Sequence, residues 1–392
     1  MKKRLHELLS RRLLPEDLAK VSSSYDIVGD IAIIRLTDTP VSNAEQIANA
    51  LMDFHKNVKT VLAQTSPVAG DFRLRRLTHI AGENRTRTLH RESGCLFSVD
   101  LAECYFSPRL SHERLRIAGL SKPGETVVNM FAGVGCFSIL ISKYVNNVKV
   151  YSIDVNPVAV QFMSENIRLN RVYEKVTPLM GDSKEIIEHK LRSVADRVLM
   201  PLPEKALEYL PSAVLALKPS GGWLHYYDFE HAQKSECSVE KTKLKVAEKL
   251  DELGVDYEFA FSRIVRPVGP NWHQVVLDIH IKEFHTNLNN YIKHVSFREL
   301  EMKRKLMEIL ACPIDKYHPL ELHVFEEKDE IVEGLIVCPK CLRWYPIRDE
   351  IPEMLPDELR KEAEDLPFLK KWASKIPAKI VSEGKPFNIK SK

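Results

Sequence analysis

The chain's 392 residues, 44% apolar and 28% charged, suffice for two or three globular domains and exclude a mostly disordered protein. Lysine plus arginine number 57 and aspartate plus glutamate 54, so there is no global basic excess, and any nucleic-acid partner has to be held by local patches. No apolar run approaches the roughly 18 residues of a membrane helix, and 7 scattered cysteines suit a reduced, cytoplasmic chain better than a disulfide scaffold. Residues 1–23 read as a basic amphipathic extension, helical as far as Pro15-Glu16-Asp17, without the apolar stretch of a secretory signal. Residues 24–118 alternate strand-like and helix-like pieces. Strands are expected at Ile27-Val28 and Ile31–Ile34 around Gly29-Asp30, a helix from Ala44 to His55, and a strand at Lys59–Leu62. A hairpin of Arg85–Glu92 and Cys95–Asp100, turning at Ser93-Gly94, completes a small α+β module.

Residues 119–283 alternate strand and helix, which implies an α/β fold with a parallel sheet covered on both faces. The expected strands are Thr126–Phe131, Val148–Ile153, Val198–Met200 and Gly222–Tyr227. Phe259–Val265 and Val275–Ile281 follow, joined around Pro267-Val268-Gly269-Pro270 by a loop too short for a crossover helix, so this pair is antiparallel. A parallel sheet closed by an antiparallel hairpin is the Rossmann-like architecture of S-adenosylmethionine methyltransferases. Residues 284–299 read as a polar linker. A charged helix at Arg298–Leu310 leads into a compact Pro- and Cys-containing domain over 300–380, and 381–392 reads as a loose tail.

Asn129-Met130-Phe131-Ala132-Gly133-Val134-Gly135-Cys136 runs from a strand through a Gly-x-Gly turn into a helix. Glycines there let a ligand approach the backbone and the helix N-terminus. Twenty-one residues after Gly133, Asp154 ends the next strand, where a carboxylate can accept both hydroxyls of a ribose. Ser138 stands at the third glycine of the strict dinucleotide fingerprint, so that motif fails, but strand context and spacing favour nucleoside binding. Asp182, after the following strand, is placed either to bond an adenine amino group or to sit in a solvated turn.

Residues 24–281 resemble the archaeal and eukaryotic tRNA (guanine-37-N1)-methyltransferase family. The resemblance is carried by Ser24–Ala32, His90-Arg91-Glu92, Cys104-Tyr105-Phe106-Ser107-Pro108-Arg109-Leu110-Ser111-His112-Glu113, Asn129–Ser138, Asp154-Val155-Asn156-Pro157, Met200–Pro203, His225-Tyr226-Tyr227 and Arg263–Asp278. It implies methyl transfer from S-adenosylmethionine to N1 of guanine 37 in the anticodon stem-loop of tRNA. N1 needs a base to remove its proton and a cation near O6. The family's motif places these roles at Glu113 and Arg73, with Tyr105 bordering the cofactor or target base and Arg109 beside them. On the residues alone, Arg109 and Glu113 would share a helix face as an i,i+4 ion pair. The cofactor would be held by Phe131, Gly133, Gly135, Asp154, Asn156, Asp182 and Pro203.

Two departures from the family stand out. The usual Asn-Leu-Pro after the fourth strand is Pro201-Leu202-Pro203 here, which removes a polar side chain and a backbone N–H. The residues before Ser24 are also too few for the small front domain of many members. Lys2-Lys3-Arg4, Arg11-Arg12 and Arg73-Leu74-Arg75-Arg76 are the patches available for phosphates.

Cys312-Pro313-Ile314-Asp315, Cys338-Pro339-Lys340-Cys341 and the ending Ile351-Pro352-Glu353-Met354-Leu355 resemble the zinc-ribbon activator protein that partners several methyltransferases. Here it is fused, which raises the effective concentration of any contact with the methyltransferase domain. Cys338 and Cys341 form a zinc knuckle. The opposite one has Asp315 as its second ligand, so the four residues are either a three-thiolate, one-carboxylate site or knuckles that have dispensed with metal. Two further readings keep parts of this picture: a wybutosine-pathway transferase moving the aminocarboxypropyl group, and a non-catalytic tRNA-binding scaffold that recruits other methyltransferases.

Overall fold

The computed structural model describes residues 25–35, 41–282, 307, 310–327, 331–348, 351–357 and 360–389. The extension 1–23, the linker and most of the helix expected at 298–310 lie outside the described residues. The chain divides into two compact units between Thr286 and Asn287.

In the first unit, β1 (Tyr25–Val28) and β2 (Ile31–Arg35) are followed by α1 (Val41–Phe54), β3 (Thr60–Gln64) and β4 (Leu77–Gly82). The four strands form one sheet in chain order, parallel only between β2 and β3. Ala44, Ile47, Ala48 and Leu51 recur at helical spacing and seal α1 onto Ala32, Ile34, Val61 and Ala63. The alternate residues Ile31, Ile33 and Leu62 face the opposite way. Next come the hairpin β5 (Arg87–Glu92) and β6 (Cys95–Asp100), with Ser93 and Gly94 both at positive φ as a two-residue hairpin turn requires. A short 3-10 turn at Pro108–Leu110 then leads into α2 (Ser111–Leu120).

The remainder of the unit comprises β7 (Thr126–Asn129), α3 (Cys136–Tyr144), β8 (Lys149–Asp154), α4 (Pro157–Leu169), β9 (Val176–Met180), α5 (Ser183–Lys190), β10 (Arg197–Met200), α6 (Ala206–Ala216), β11 (Gly222–His231), α7 (Ser238–Glu252), β12 (Tyr257–Gly269) and β13 (Trp272–Ile281). Its seven strands order as β12-β13-β11-β10-β7-β8-β9. All neighbours from β9 to β11 are parallel, and β13 and β12 close the edge antiparallel. This is the expected Rossmann-like α/β fold with its terminal hairpin. One apolar core runs from Val28, Ile31 and Leu62 through Phe97 and Val99 to Val127, Val150, Leu199 and Val276, so the small module and the large sheet share it.

Sequence patterns did not anticipate β4 or β9. β9 contains Pro178, which a central strand would reject, but β9 is the outer strand, where a missing N–H is tolerated. β4 is half-exposed and carries no clean alternation.

The second unit has an antiparallel sheet of β14 (Glu321–Glu327), β15 (Ile331–Val337), β16 (Trp344–Arg348) and β17 (Ile351–Pro352), followed by α8 (Glu362–Lys371) and α9 (Ala378–Glu383). Ile336, Tyr345 and Ile347 face the two knuckles. Leu335, Val337 and Trp344 face Phe368, Leu369, Ile376 and Ile380. The tail is not loose as far as Ile389. Trp344 Nε1 donates to the Phe387 carbonyl at 2.8 Å, and Phe387 and Ile389 pack on the same apolar face. Among the described residues, no helix is long and apolar enough to cross a membrane.

Candidate active site

The glycine turn and the two strands beside it build a cavity of about 280 Å³, lined among others by Tyr105, Phe131, Gly133, Asp154, Asn156 and Asp182. Gly133 and Gly135 have φ of 55° and 91°. A Cβ on Gly135 would meet Met163 and Ile139 at 3.0 and 3.1 Å, so its bareness serves packing. A Cβ on Gly133 would meet nothing closer than 3.9 Å and would occupy the cavity side instead. Ser138, in place of the third glycine, is buried and accepts from Asn129 Nδ2 at 3.1 Å and from Ser152 Oγ at 2.7 Å. A hydroxyl bonded to both neighbouring strands takes over the close helix–strand contact.

Asp154 accepts from Gly133 N–H at 2.6 Å and from Asn156 N–H at 3.0 Å. Burial pushes its pKa up and these two donors oppose the shift. Each oxygen keeps acceptor capacity towards the cavity. Asn156 lines the wall, but its amide is committed. Its oxygen caps α4 at Val158 and Ala159, and its nitrogen donates to the Glu103 carbonyl at 2.8 Å. Asp182 caps α5 through Lys184 N–H at 2.7 Å and accepts from the Tyr209 hydroxyl at 2.6 Å. Tyr209 also meets the Phe131 ring edge-on at 5.1 Å. No local sequence signal marks Tyr209; the fold brings it from α6. Gly135 and Pro203 do not line the cavity, where Pro201 and Leu202 stand. A carboxylate beside backbone donors, an aromatic wall and a glycine-bared floor fit a nucleoside-bearing cofactor.

A second cavity of about 430 Å³ shares Arg73 and Tyr105 with the first. Its lining adds Arg35, Arg75, Arg109 and Arg266, with Phe106, Phe229 and Trp272. Burial lowers the Arg75 pKa, Arg35 and Arg109 lower it further, and Asp26 and Tyr105 pull the other way. Clustered guanidiniums interleaved with aromatic rings suit a nucleic-acid strand. Arg35, Arg266 and Trp272 were not singled out from sequence, since β2 and β12–β13 meet only in the fold.

Arg73 has φ of 54°, in the left-handed region, within a tight turn closed by its N–H donating to the Gly70 carbonyl at 3.0 Å. Its guanidinium lies 4.1 Å from the Tyr105 ring centroid and 3.0 Å from Glu204. Glu113 lies elsewhere. It is 1% exposed, lines neither cavity, and takes hydrogen bonds from Arg116 at 3.1 Å, from the Tyr227 hydroxyl at 3.0 Å and from Arg263. The alternative pairing with Arg109, which the residues alone suggested, is absent. Arg109 belongs to the 3-10 turn before α2 and bonds Asp26 at 2.6 Å, so the two do not share a helix face. Arg73 and Glu113 likewise pair with other residues rather than with each other.

Behind Glu113 runs a buried chain of charges. Arg116 also donates to Asp278 at 2.5 and 3.1 Å; His225 Nδ1 lies 2.6 Å from Asp278, and Arg197 lies 2.5 Å from His225 Nε2. Arg197 in turn donates to both oxygens of Glu125 at 2.9 Å. Burial opposes the charge on Asp278, yet the bonds from His225 and Arg116 hold its pKa at about 2. Burial keeps His225 below its ordinary value despite Asp278.

In the second unit, Cys312, Asp315, Cys338 and Cys341 present ligand atoms that all lie within 4.8 Å of one another. Cys312 Sγ and Cys341 Sγ are 3.7 Å apart, about the edge of a tetrahedron built on zinc–sulfur bonds of roughly 2.3 Å. The knuckles repeat each other. Lys316 N–H donates to the Cys312 carbonyl and Leu342 N–H to the Cys338 carbonyl, both at 2.9 Å, with Lys316 and Leu342 at positive φ. Asp315 thus occupies the position that Cys341 holds in its own knuckle, and the donor set fits zinc.

The TRM5/TYW2 methyltransferase domain matches residues 88–256, the TYW2 N-terminal domain residues 5–86, and the Trm112p-like protein residues 303–350. The chain is 39% identical to the tRNA (guanine(37)-N(1))-methyltransferase Trm5b of Pyrococcus abyssi, covering 68% of this chain and 78% of that protein. It is 34% identical to the tRNA(Phe) (4-demethylwyosine(37)-C(7)) aminocarboxypropyltransferase of Methanocaldococcus jannaschii, covering 64% and 96%. Among solved structures, the complex of aTrm5 and tRNALeu aligns with TM-score 0.61 and 35% identity, covering 71% of this chain and 78% of that one. The Methanocaldococcus jannaschii Trm5 structure in complex with adenosine aligns with TM-score 0.59 and 34% identity, covering 71% and 80%.

Proposed function

This chain belongs to the TRM5/TYW2 methyltransferase family, and we propose that it transfers the methyl group of S-adenosylmethionine to N1 of guanine 37 in tRNA. The observation that carries the reading is the Asp154–Gly133 cradle opening, across Arg73 and Tyr105, onto an arginine-lined cleft. The relatives that bind adenosine and tRNA support the two assignments.

S-adenosylmethionine, when bound, supplies an electrophilic methyl group. Asp154 accepts the ribose hydroxyls with the capacity left by Gly133 and Asn156, Asp182 keeps a lone pair for the adenine amino group, and Phe131 and Tyr209 wall the ring. In the cleft, Arg35, Arg75, Arg109 and Arg266 hold the phosphates that flank the target nucleotide. Arg73, held over the Tyr105 ring, donates to O6, where negative charge builds as N1 loses its proton. Glu113 takes that proton. It is reached by displacing Arg263, whose side chain is 37% exposed and so free to leave the carboxylate for the base. Cys312, Asp315, Cys338 and Cys341 hold a structural zinc that fixes the two knuckles of the C-terminal unit.

The match of residues 5–86 to the TYW2 N-terminal domain favours a second reading, transfer of the aminocarboxypropyl group at the same tRNA position. Arg73 at the junction of the cavities and the buried Glu113 favour methylation. Purified protein incubated with tRNA bearing guanosine or 4-demethylwyosine at position 37, in parallel with cofactor labelled in the methyl group and with cofactor labelled in the aminocarboxypropyl carbons, decides between them. Methyl label recovered as 1-methylguanosine is the expected result. Label delivered only from the aminocarboxypropyl carbons would establish the rival, and no label from either would leave a binding scaffold.

A further inference from the structure

Where the two cavities meet stands a carboxylate that neither cofactor binding nor proton removal employs. The loop after β10 reads Pro201-Leu202-Pro203 and carries no side-chain hydrogen-bonding group until Glu204. Glu204 lines the second cavity beside Arg73 and Tyr105, and its side chain is 47% exposed. Lys205, the next residue, bonds Asp71 at 2.8 Å and ties this loop to the one that bears Arg73. Asp26, the other carboxylate of that lining, pairs with Arg109 at 2.6 Å and is only 15% exposed, and Glu113 lines neither cavity. Glu204 is therefore the accessible anionic acceptor of the cleft among the described residues. Beside it, Arg73 Nε is buried and has no hydrogen-bond partner.

A guanidinium and a carboxylate 3.0 Å apart present a donor next to an acceptor. The Watson–Crick edge of guanine is the complement: O6 accepts, and N1–H and the N2 amino group donate. An adenine edge would set its own amino group against the guanidinium and offer the carboxylate no donor. We propose that Glu204 selects guanine at this site by accepting from the N2 amino group while Arg73 donates to O6. The assignment rests on the methyl-transfer reading of the cleft and adds to it the residue that distinguishes among purines.

Inosine isolates the contact, because it keeps O6 and N1–H and lacks only the amino group. The experiment compares single-turnover methylation of one tRNA transcript carrying guanosine or inosine at position 37, by wild type and by Glu204→Ala. A hydrogen bond to a charged acceptor corresponds to about 10- to 100-fold. The wild type is expected to prefer guanosine by about that factor. Glu204→Ala should lose it by slowing the guanosine substrate while leaving inosine within about twofold, which also shows that the variant is folded. If both substrates slow equally, Glu204 only steadies Arg73 and the assignment is overturned. If guanosine is unaffected, it is overturned as well. A wild type that methylates neither substrate would instead overturn the underlying activity.

Discussion

Replacing Asp278 by Asn tests the buried charge chain behind Glu113. Asp278 is 3% exposed and accepts from both Arg116 nitrogens and from His225. An amide of the same size keeps one acceptor but turns a donor towards Arg116, leaving the largely buried guanidinium with Glu113 as its one remaining counter-charge among the described residues. Breaking a buried pair from one side costs about 3–5 kcal/mol. For a unit of this size that lowers the melting temperature by roughly 10 °C. The pH dependence is the sharper readout. The Asp278 pKa is about 2 in the folded protein against 3.8 for the free side chain, which corresponds to about 2 kcal/mol of charge-dependent stability. Because the folded value is the lower one, this contribution is complete above about pH 4 and fades as pH falls towards 2. His225 acts in the same sense, since its folded pKa lies below 6.5 and protonation of the unfolded chain below that value favours unfolding. Urea titrations of wild type and Asp278→Asn at pH 7, 5 and 3 should show a gap that is wide at neutral pH and narrows in acid. A gap under about 1 kcal/mol at pH 7, or one equally wide at pH 3, would refute the charge-chain reasoning.

Three further outcomes are expected. Glu113→Gln and Arg73→Ala should each slow methyl transfer by roughly a hundredfold at saturating cofactor, measured by single-turnover formation of 1-methylguanosine; full activity in both would remove them from those roles. Asp154→Ala should weaken cofactor binding by about 10- to 100-fold in calorimetry while leaving tRNA affinity unchanged, because its carboxylate faces the first cavity and not the arginine cleft. Elemental analysis should find one zinc per chain, lost in Cys338→Ser and retained in Asp315→Cys, which restores a fourth thiolate at the matching knuckle position; a metal-free wild type would point to knuckles held by their apolar core alone.

Features set by local backbone chemistry were legible in the sequence. That Gly133 and Asp154 meet on one cavity wall could be read because a strand-to-helix glycine turn and a carboxylate ending the next strand have a fixed chain separation. The closing hairpin followed from the short connection between its strands, although Pro267–Gly269, expected as loop, extend β12 and the turn falls at Pro270-Asn271. Features set by tertiary placement were not. Spacing put Arg109 and Glu113 on one helix face, but the 3-10 turn at Pro108 starts the helix later and sends Arg109 to Asp26. Pro178 hid β9, since nothing local says that the strand is outermost. Tyr209, Arg266 and Trp272 reach the cavities from elements distant in sequence, so their roles exist only once the sheet has formed. The equivalence of Asp315 to Cys341 was legible from the Cys-x-x-Asp and Cys-x-x-Cys spacing, and the repeated hydrogen bonds of the two knuckles agree with it.

The continuous apolar seam from Val28 to Val276 carries a mechanical consequence. Because they share this seam, the small module and the large sheet behave as a single stiff anvil, and opening them like jaws along it would expose oily surface to water. On the methyl-transfer reading, room for a splayed-out nucleotide comes from local yielding at the rim, by the paired turns around Asp71 and Lys205 and by the swing of Arg263 on the edge strand β12.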